Sequence, residues 1–324
     1  MKKLISVLLT ALMLLSALPF AAFAAVPATG TTGGCAWTLD ENGVLTISGS
    51  GAMGDYGWTR NASLDPAPWY GLEISEVVIG DGVTRIGDGA FRSDGAKNVV
   101  IPSSVTSIGR SAFRDCVTLE RVFIPESVSE IGFAAFCGCE RLEEVNIPSK
   151  VTKLNEALFF GCKSLKTVEL PDSVTETDAA VFDECTALKY VDLGASLTNI
   201  GPYMFERCTA LKAVIVPDTV TEIGEEIFYG TDGFSVVCGE DSFMSGYASE
   251  NQLDYTLIEY VWKGDANLDS ALNVNDVTDI QRCVAKLDFF TEKQRGIADM
   301  NGDGVVNIID ATAVQREIAS IIIV

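Results

Sequence analysis

Histidine is absent from all 324 residues. That excludes Ser-His-Asp and Cys-His nucleophile systems, histidine-ligated zinc and haem, and an imidazole pH switch. Positive charge is scarce. Lys and Arg number 23 against 45 Asp and Glu, a formal net charge of −22, which argues against nucleic acid and anionic membrane surfaces as partners. Low hydrophobicity is not a feature of this chain: 48% of it is hydrophobic and 21% charged, enough apolar surface to build a core rather than remain disordered. Long apolar runs are lacking too, except at the start. Lys2 and Lys3 precede an apolar stretch from Leu4 to Leu15, and Ala22-Phe23-Ala24 supplies small residues. This is the pattern of a secretory signal peptide over residues 1–24, cut after Ala24. The run is short for a membrane span and no second follows it. No membrane insertion is expected, and the chain reads as a secreted, acidic, extracellular protein.

Nine cysteines in a secreted chain would suggest disulfides. Five of them resist that reading, because Cys116, Cys139, Cys162, Cys185 and Cys208 recur every 23 residues. A fixed step marks a repeated structural slot rather than a set of pairs, and thiols stacked on one face are packed core more often than metal ligands. The total is odd, and Cys35, Cys137, Cys238 and Cys283 lie outside the ladder.

Other columns keep the same step. Phenylalanine recurs at Phe91, Phe113, Phe136, Phe159, Phe182, Phe205 and Phe228, and leucine at Leu119, Leu142, Leu165, Leu188 and Leu211. Self-similarity at this period means a solenoid, whose units bury their faces only against their neighbours. Within one unit, Leu119 to Ile124 reads as a short alternating strand, with Val122 and Ile124 inward and Arg121 and Phe123 outward. Pro125 ends the strand because it has no N–H to give. Val128 and Ile131 point inward from the return, Gly132 permits a bend, and Ala135, Phe136 and Cys139 fill the far side. Outward strand positions further along include Glu144, Asn146, Glu169, Tyr190 and Asp192. With Arg121 and Phe123 they form a candidate face for a protein or polysaccharide ligand, on a sheet roughly 30 Å long.

These units resemble the BspA-like, or treponemal, class of leucine-rich repeats, over about Ile74 to Tyr229. Thr177 departs from the pattern where an inward Ile is the rule, and Gly194 where Pro is. The resemblance implies a β-rich solenoid of parallel strands over 74–230. Its end rungs would expose apolar edges without caps. A β-hairpin around Glu41-Asn42-Gly43 serves as the N-terminal cap within 25–73, and a strand–helix–strand over 231–260 as the C-terminal one.

The segment 261–324 is built differently. Asp265, Asn267, Asp269, Ala271, Asn273 and Asp276 occupy positions 1, 3, 5, 7, 9 and 12 of an acidic loop. Asp299, Asn301, Asp303, Val305, Asn307 and Asp310 repeat the pattern 34 residues later. Calcium takes six to eight hard oxygen ligands, and such a loop supplies them from side chains and from the position 7 carbonyl. Two copies in register, each with Asp at position 12, resemble a type I dockerin, a small helical module with two calcium ions. The expected helices run from Asp276 to Lys286 and from Asp310 to Ile321. Position 6 is Gly304 in the second loop but Ser270 in the first. A non-glycine residue in a left-handed turn costs roughly 1 kcal/mol, so weaker calcium binding is expected at the first site.

The resemblance further implies a cohesin module on a scaffold protein as partner. Recognition residues would be Val274, Asn275, Gln281, Arg282 and Lys286 in the first half, and Ile308, Ile309, Gln315, Arg316 and Ser320 in the second. Gln-Arg recurs in both halves, as a pseudo-twofold module able to dock either way round would require. The resulting reading is a secreted, non-catalytic interaction protein held on a cellulosome-like scaffold. Two alternatives stay open: a glycoside hydrolase-type component acting through paired carboxylates on the repeat face, and a cell-surface adhesin.

Overall fold

The computed structural model describes residues 28–57, 65–257, 263–268, 271–286 and 290–322. The leader and the first loop's Asp269 and Ser270 lie outside them, so the leader and the comparison of the two position 6 residues remain expectations. The chain coils as a β-solenoid of about eight turns. One side carries β1 (Ala28–Thr32), β2 (Cys35–Leu39), β3 (Val44–Gly49), β5 (Glu76–Ile79), β7 (Asn98–Val100), β9 (Arg121–Phe123), β11 (Glu144–Val145), β13 (Thr167–Glu169), β15 (Tyr190–Asp192), β17 (Ala213–Ile215), β19 (Ser235–Cys238) and β20 (Tyr255–Leu257). The return of each coil carries β4 (Gly51–Ala52), β6 (Val83–Ile86), β8 (Ser107–Ile108), β10 (Glu130–Ile131), β12 (Lys153–Leu154), β14 (Glu176–Thr177), β16 (Asn199–Ile200) and β18 (Glu222–Ile223). Among the described residues, only the β1-β2-β3 cap is antiparallel; from β3 onward neighbours run parallel, valine against valine as at Val99↔Val122 and Val191↔Val214.

The long side is two sheets, not one. It divides into β1-β2-β3-β5-β7-β9-β11 and β13-β15-β17-β19-β20. Beside the break sits Asn146, whose amide reproduces a peptide's pairing. Its Oδ1 accepts from Ile124 N at 2.8 Å, and its Nδ2 donates to Ile124 O at 2.6 Å.

The interior follows the columns. Val122, Ile124, Val128, Ile131, Ala135, Phe136, Cys139 and Leu142 are all buried. From Phe91 to Phe228 the rings form one stack, with centroids 5.2 to 5.9 Å apart and planes within 16°. Trp69 of the cap continues it below, 5.8 Å from Phe91. The cysteines are more than filler. Each thiol donates to the phenylalanine carbonyl one rung back: Cys116 to Phe91, Cys139 to Phe113, Cys162 to Phe136, Cys185 to Phe159 and Cys208 to Phe182, at 3.0 to 3.3 Å. At the last rung Thr231 takes the slot and donates to Phe205 O at 2.7 Å. All nine cysteines are unpaired.

The bend opens at Gly132, whose carbonyl accepts from Ala135 N at 3.2 Å. Gly132 has no left-handed backbone; the left-handed residue is Ala134 (φ 52°), within a column that includes Ser111, Ala157, Ala180, Tyr203 and Glu226. Gly132 is needed because a Cβ there would lie 2.6 Å from Arg110 N of the rung below. Close coil-on-coil approach, not torsion, fixes that glycine.

A hairpin of β2 and β3 stands at one end of the coil and a strand–helix–strand at the other. The C-terminal one is β19, helix α1 (Phe243–Glu250) and β20, with the Ser242 side chain accepting from Ser245 N at 3.0 Å. Beyond it lie α2 (Val274–Val284), α3 (Glu292–Ala298) and α4 (Ile308–Ile322), around a core of Ala266, Val277, Ile280, Phe290, Ala298, Ala311 and Val314. Helix α3 was not expected. It is started by a capping box between Thr291 and Gln294. Helices α2 and α4 begin two residues earlier than expected, because Asn273 and Asn307 accept from Asn275 N and Ile309 N and so act as caps.

Candidate functional site in the C-terminal loops

The two acidic loops close in the same way. Asp276, at position 12, accepts from Asn267 N at 3.3 Å through Oδ1 and from Asn273 N at 2.8 Å through Oδ2. Asp310 repeats both bonds, from Asn301 N at 3.4 Å and Asn307 N at 2.8 Å. Both carboxylates are fully buried, so each pins the start and the end of its loop together. Position 9 ties to position 7 in both copies: Asn273 Nδ2 donates to Ala271 O at 2.7 Å, and Asn307 Nδ2 to Val305 O at 2.9 Å.

In the second loop Asp299 is caged by amides. Gly302 N and Asp303 N donate to its Oδ1, and Gly304 N to its Oδ2. These bonds, from Gly304 first, hold its carboxyl below the usual range. Gly302 and Gly304 are both left-handed, φ 73° and 80°, which lets the chain wrap so tightly. Asp303 Oδ1 accepts from Val305 N, and Asn301 Oδ1 from Asp303 N. In the first loop Asp265 and Asn267 are likewise buried.

The donors are all oxygen, in the order a hard divalent cation needs, and their chemistry fits calcium. Among the described residues no three His, Cys, Asp or Glu side chains are gathered into a cluster that could hold a metal. The second loop's carboxylates are instead turned onto its own amides.

The expected recognition residues lie on the surface. Val274, Asn275, Gln281, Arg282 and Lys286 are exposed at α2 and its end, and Ile308, Ile309, Gln315 and Arg316 on α4; Ser320 belongs to α4. Ile308 and Ile309 are 55% and 60% exposed.

The repeat face is another matter. Arg121, Phe123 and Glu144 are exposed, and Asn146 is committed to Ile124. Tyr190 is not a free surface residue: it is buried with Ala213, Ile215 and Val237 under Leu268, from position 4 of the first loop. Ile297 of α3 packs beside them. The Tyr190 hydroxyl donates to Asp279 of α2 at 3.3 Å, and Lys212 Nζ lies 3.9 Å from the same carboxylate. Asp192 is half-buried, its Oδ1 accepting from Gly194 N at 3.1 Å. Burial pushes its carboxyl up. Burial also pulls the nearby Lys293 ammonium down, against the opposing pull of Asp192 and Asp218. Glu169 lines a cleft with Cys283, Phe290, Arg295, Asp299 and Val305. The candidate ligand face is thus halved: the C-terminal module sits on its last rungs, and Arg121, Phe123 and Glu144 stay open. Sequence reasoning missed Leu268, Asp279 and Lys293 as contacts.

Among the described residues no helix is long and apolar enough to cross a membrane. The model of the BspA type leucine rich repeat region matches in six copies over residues 64–159 and 131–243, more than half of the chain. The model of the dockerin type I domain matches residues 263–319. The comparison with curated proteins found no match. Among solved structures, the chain is similar to a leucine-rich repeat protein from Bacteroides ovatus at 22% identity, covering 78% of this chain and 70% of that one, with a TM-score of 0.48. It is also similar to the leucine rich repeat protein of T. pallidum at 25% identity, covering 73% and 96%, with a TM-score of 0.49. A leucine rich cell surface protein from Faecalibacterium prausnitzii shares 25% identity over 65% of this chain and 76% of that one, with a TM-score of 0.39. Neither the repeats nor the dockerin is a catalytic family, and no catalytic domain is found. With its phenylalanine and cysteine ladders stacked rung on rung and two matching acidic loops behind them, the chain belongs to the BspA-type leucine-rich repeat proteins and ends in a type I dockerin domain.

Proposed function

We propose that this chain is a secreted, non-catalytic interaction protein that docks through its C-terminal module to a cohesin on a cellulosome-like scaffold, in a calcium-dependent way. The observation that carries this reading is the identical closure of the two loops by Asp276 and Asp310, in a segment that matches the dockerin model. Calcium would be held by Asp265, Asn267, Asp269, the Ala271 carbonyl, Asn273 and Asp276, and by Asp299, Asn301, Asp303, the Val305 carbonyl, Asn307 and Asp310. Bound there, calcium would supply the positive charge that balances the loop carboxylates, while Asp276 and Asp310 tie each loop to the start of the helix that carries the recognition residues. The open rungs at Arg121, Phe123 and Glu144 offer the surface that the scaffold would display, for a protein or a glycan.

The test is a pull-down of the mature chain by a panel of type I cohesin modules, in millimolar calcium and again in excess chelator. Capture in calcium that is lost in chelator is expected. Capture by none of them, or capture indifferent to chelator, would sink the reading.

A further inference from the structure

We infer that the two halves of the C-terminal module have divided their work: the first is seated on the chain's own repeat sheet, and the second alone faces outward to take the cohesin. The inference rests on the docking reading above and assigns its orientation.

The loops share their oxygen donors but differ at position 4. In the first it is Leu268, 1% exposed among Tyr190, Ala213, Ile215 and Val237. In the second it is Gly302, which has no side chain to insert, and a Cβ placed there would meet nothing within 4 Å. Only the first loop therefore has a wedge. The strand residues beneath are outward positions of β15, β17 and β19. Apolar residues there would be exposed without a cover, and the first loop supplies it. Asp279 adds polar contacts to Tyr190 and Lys212.

Seating has a steric consequence. Asn275 and Arg282, two recognition positions of the first half, line a cleft of about 780 Å³ whose other wall includes Lys189, Lys212 and Tyr255 of the solenoid. A cleft of that size admits a small molecule; a protein contact needs about 800 Å² of open surface on each partner. The second half meets the repeats through its loop, where Asp299, Gly304, Val305 and Val306 line a cleft with Glu169; its recognition stripe on α4 lies outside that cleft. Ile308 and Ile309 stand exposed at the start of α4, and Gln315 and Arg316 follow seven residues on, along the same helix stripe. Among the described residues, none of these four lines the clefts that Lys189, Lys212, Tyr255 and Glu169 of the solenoid border. A cohesin surface that matches this stripe would have to offer an apolar depression for the two isoleucines and carboxylate or carbonyl acceptors for Arg316.

The experiment measures affinity of the full mature chain, in saturating calcium, for the type I cohesin module it binds best. Ile309→Asp combined with Arg316→Ala should weaken binding at least a hundredfold. Ile215→Asp, on the repeat sheet under Leu268, should unseat the module and free the first half. In that background the α4 double variant should regain at least tenfold, and adding Arg282→Ala should remove the gain. Circular dichroism and calcium stoichiometry confirm that each variant is folded and loaded. Binding by the α4 double variant within threefold of the parent overturns the inference, because the first half would then be open. Loss without rescue also overturns it, because seating would not be what blocks the first half. A parent chain that binds no cohesin overturns the docking reading itself, and the orientation with it.

Discussion

At the bottom of the cysteine ladder the slot three residues after the phenylalanine holds not Cys but Asp94. It is 8% exposed, its Oδ1 accepts from Ala96 N at 2.9 Å, and its Oδ2 has no hydrogen-bond partner. Burial raises its pKa from 3.8 to about 7. The folded state therefore holds this proton up to about pH 7, while the unfolded chain releases it near 3.8. Between those values folding takes up a proton, so stability falls as pH rises, and it is fully present only below the unfolded value. At about 1.4 kcal/mol per tenfold in acidity, the loss across that window is about 4 kcal/mol. Asp94→Asn removes the charge and keeps an acceptor for Ala96 N. The new amide donors are buried without an assigned partner, at a cost of about 1–2 kcal/mol. The variant should therefore be about 2–3 kcal/mol more stable than the parent at pH 8 and no more stable at pH 4. Urea unfolding followed by far-ultraviolet circular dichroism, at both pH values and constant calcium, measures this. Other raised carboxyls such as Asp183, at about 6 through burial and then Glu206, are common to both proteins and cancel in the difference. Parallel pH profiles for parent and variant would refute the reasoning.

Two further predictions concern the ladders. Phe159→Ala opens a hole between Phe136 and Phe182 and should cost about 3–5 kcal/mol, read as a lower urea midpoint. Cys208→Ala strands the Phe182 carbonyl without its thiol donor and should cost about 1–3 kcal/mol; Cys208→Thr, which copies the hydroxyl that Thr231 places in the next slot, should recover part of that in the same titration.

How far the fold could be read from the sequence varies with the distance over which its cause acts. The phenylalanine, leucine and cysteine columns were legible because each rung contacts the one 23 residues away, and a fixed step writes that contact into the chain. The two acidic loops were legible as a repeated pair because their spacing of Asp and Asn is local in the chain. Helix α3 had a local signal that was passed over: Thr291 followed three residues later by Gln294. The bend at Gly132 was legible, but its cause was not, because a close approach between coils leaves the same mark in a sequence as a flexible turn.

The seating of the C-terminal module could not be read from any period, since it joins residues as far apart as Tyr190 and Asp279. Yet its trace is present in the outward strand positions. Along β9 and β11 these are Arg121, Phe123 and Glu144, mostly polar, and they stay exposed. Along β15, β17 and β19 they include Tyr190, Ala213, Ile215 and Val237, and all are buried. Outward apolar residues on earlier rungs, such as Val100 and Phe123, stay exposed, whereas those of the last rungs lie under the first loop. The change of character along one face thus marks where the solenoid ceases to be a surface and becomes a seat. That same boundary leaves Arg121, Phe123 and Glu144 on the earlier rungs exposed.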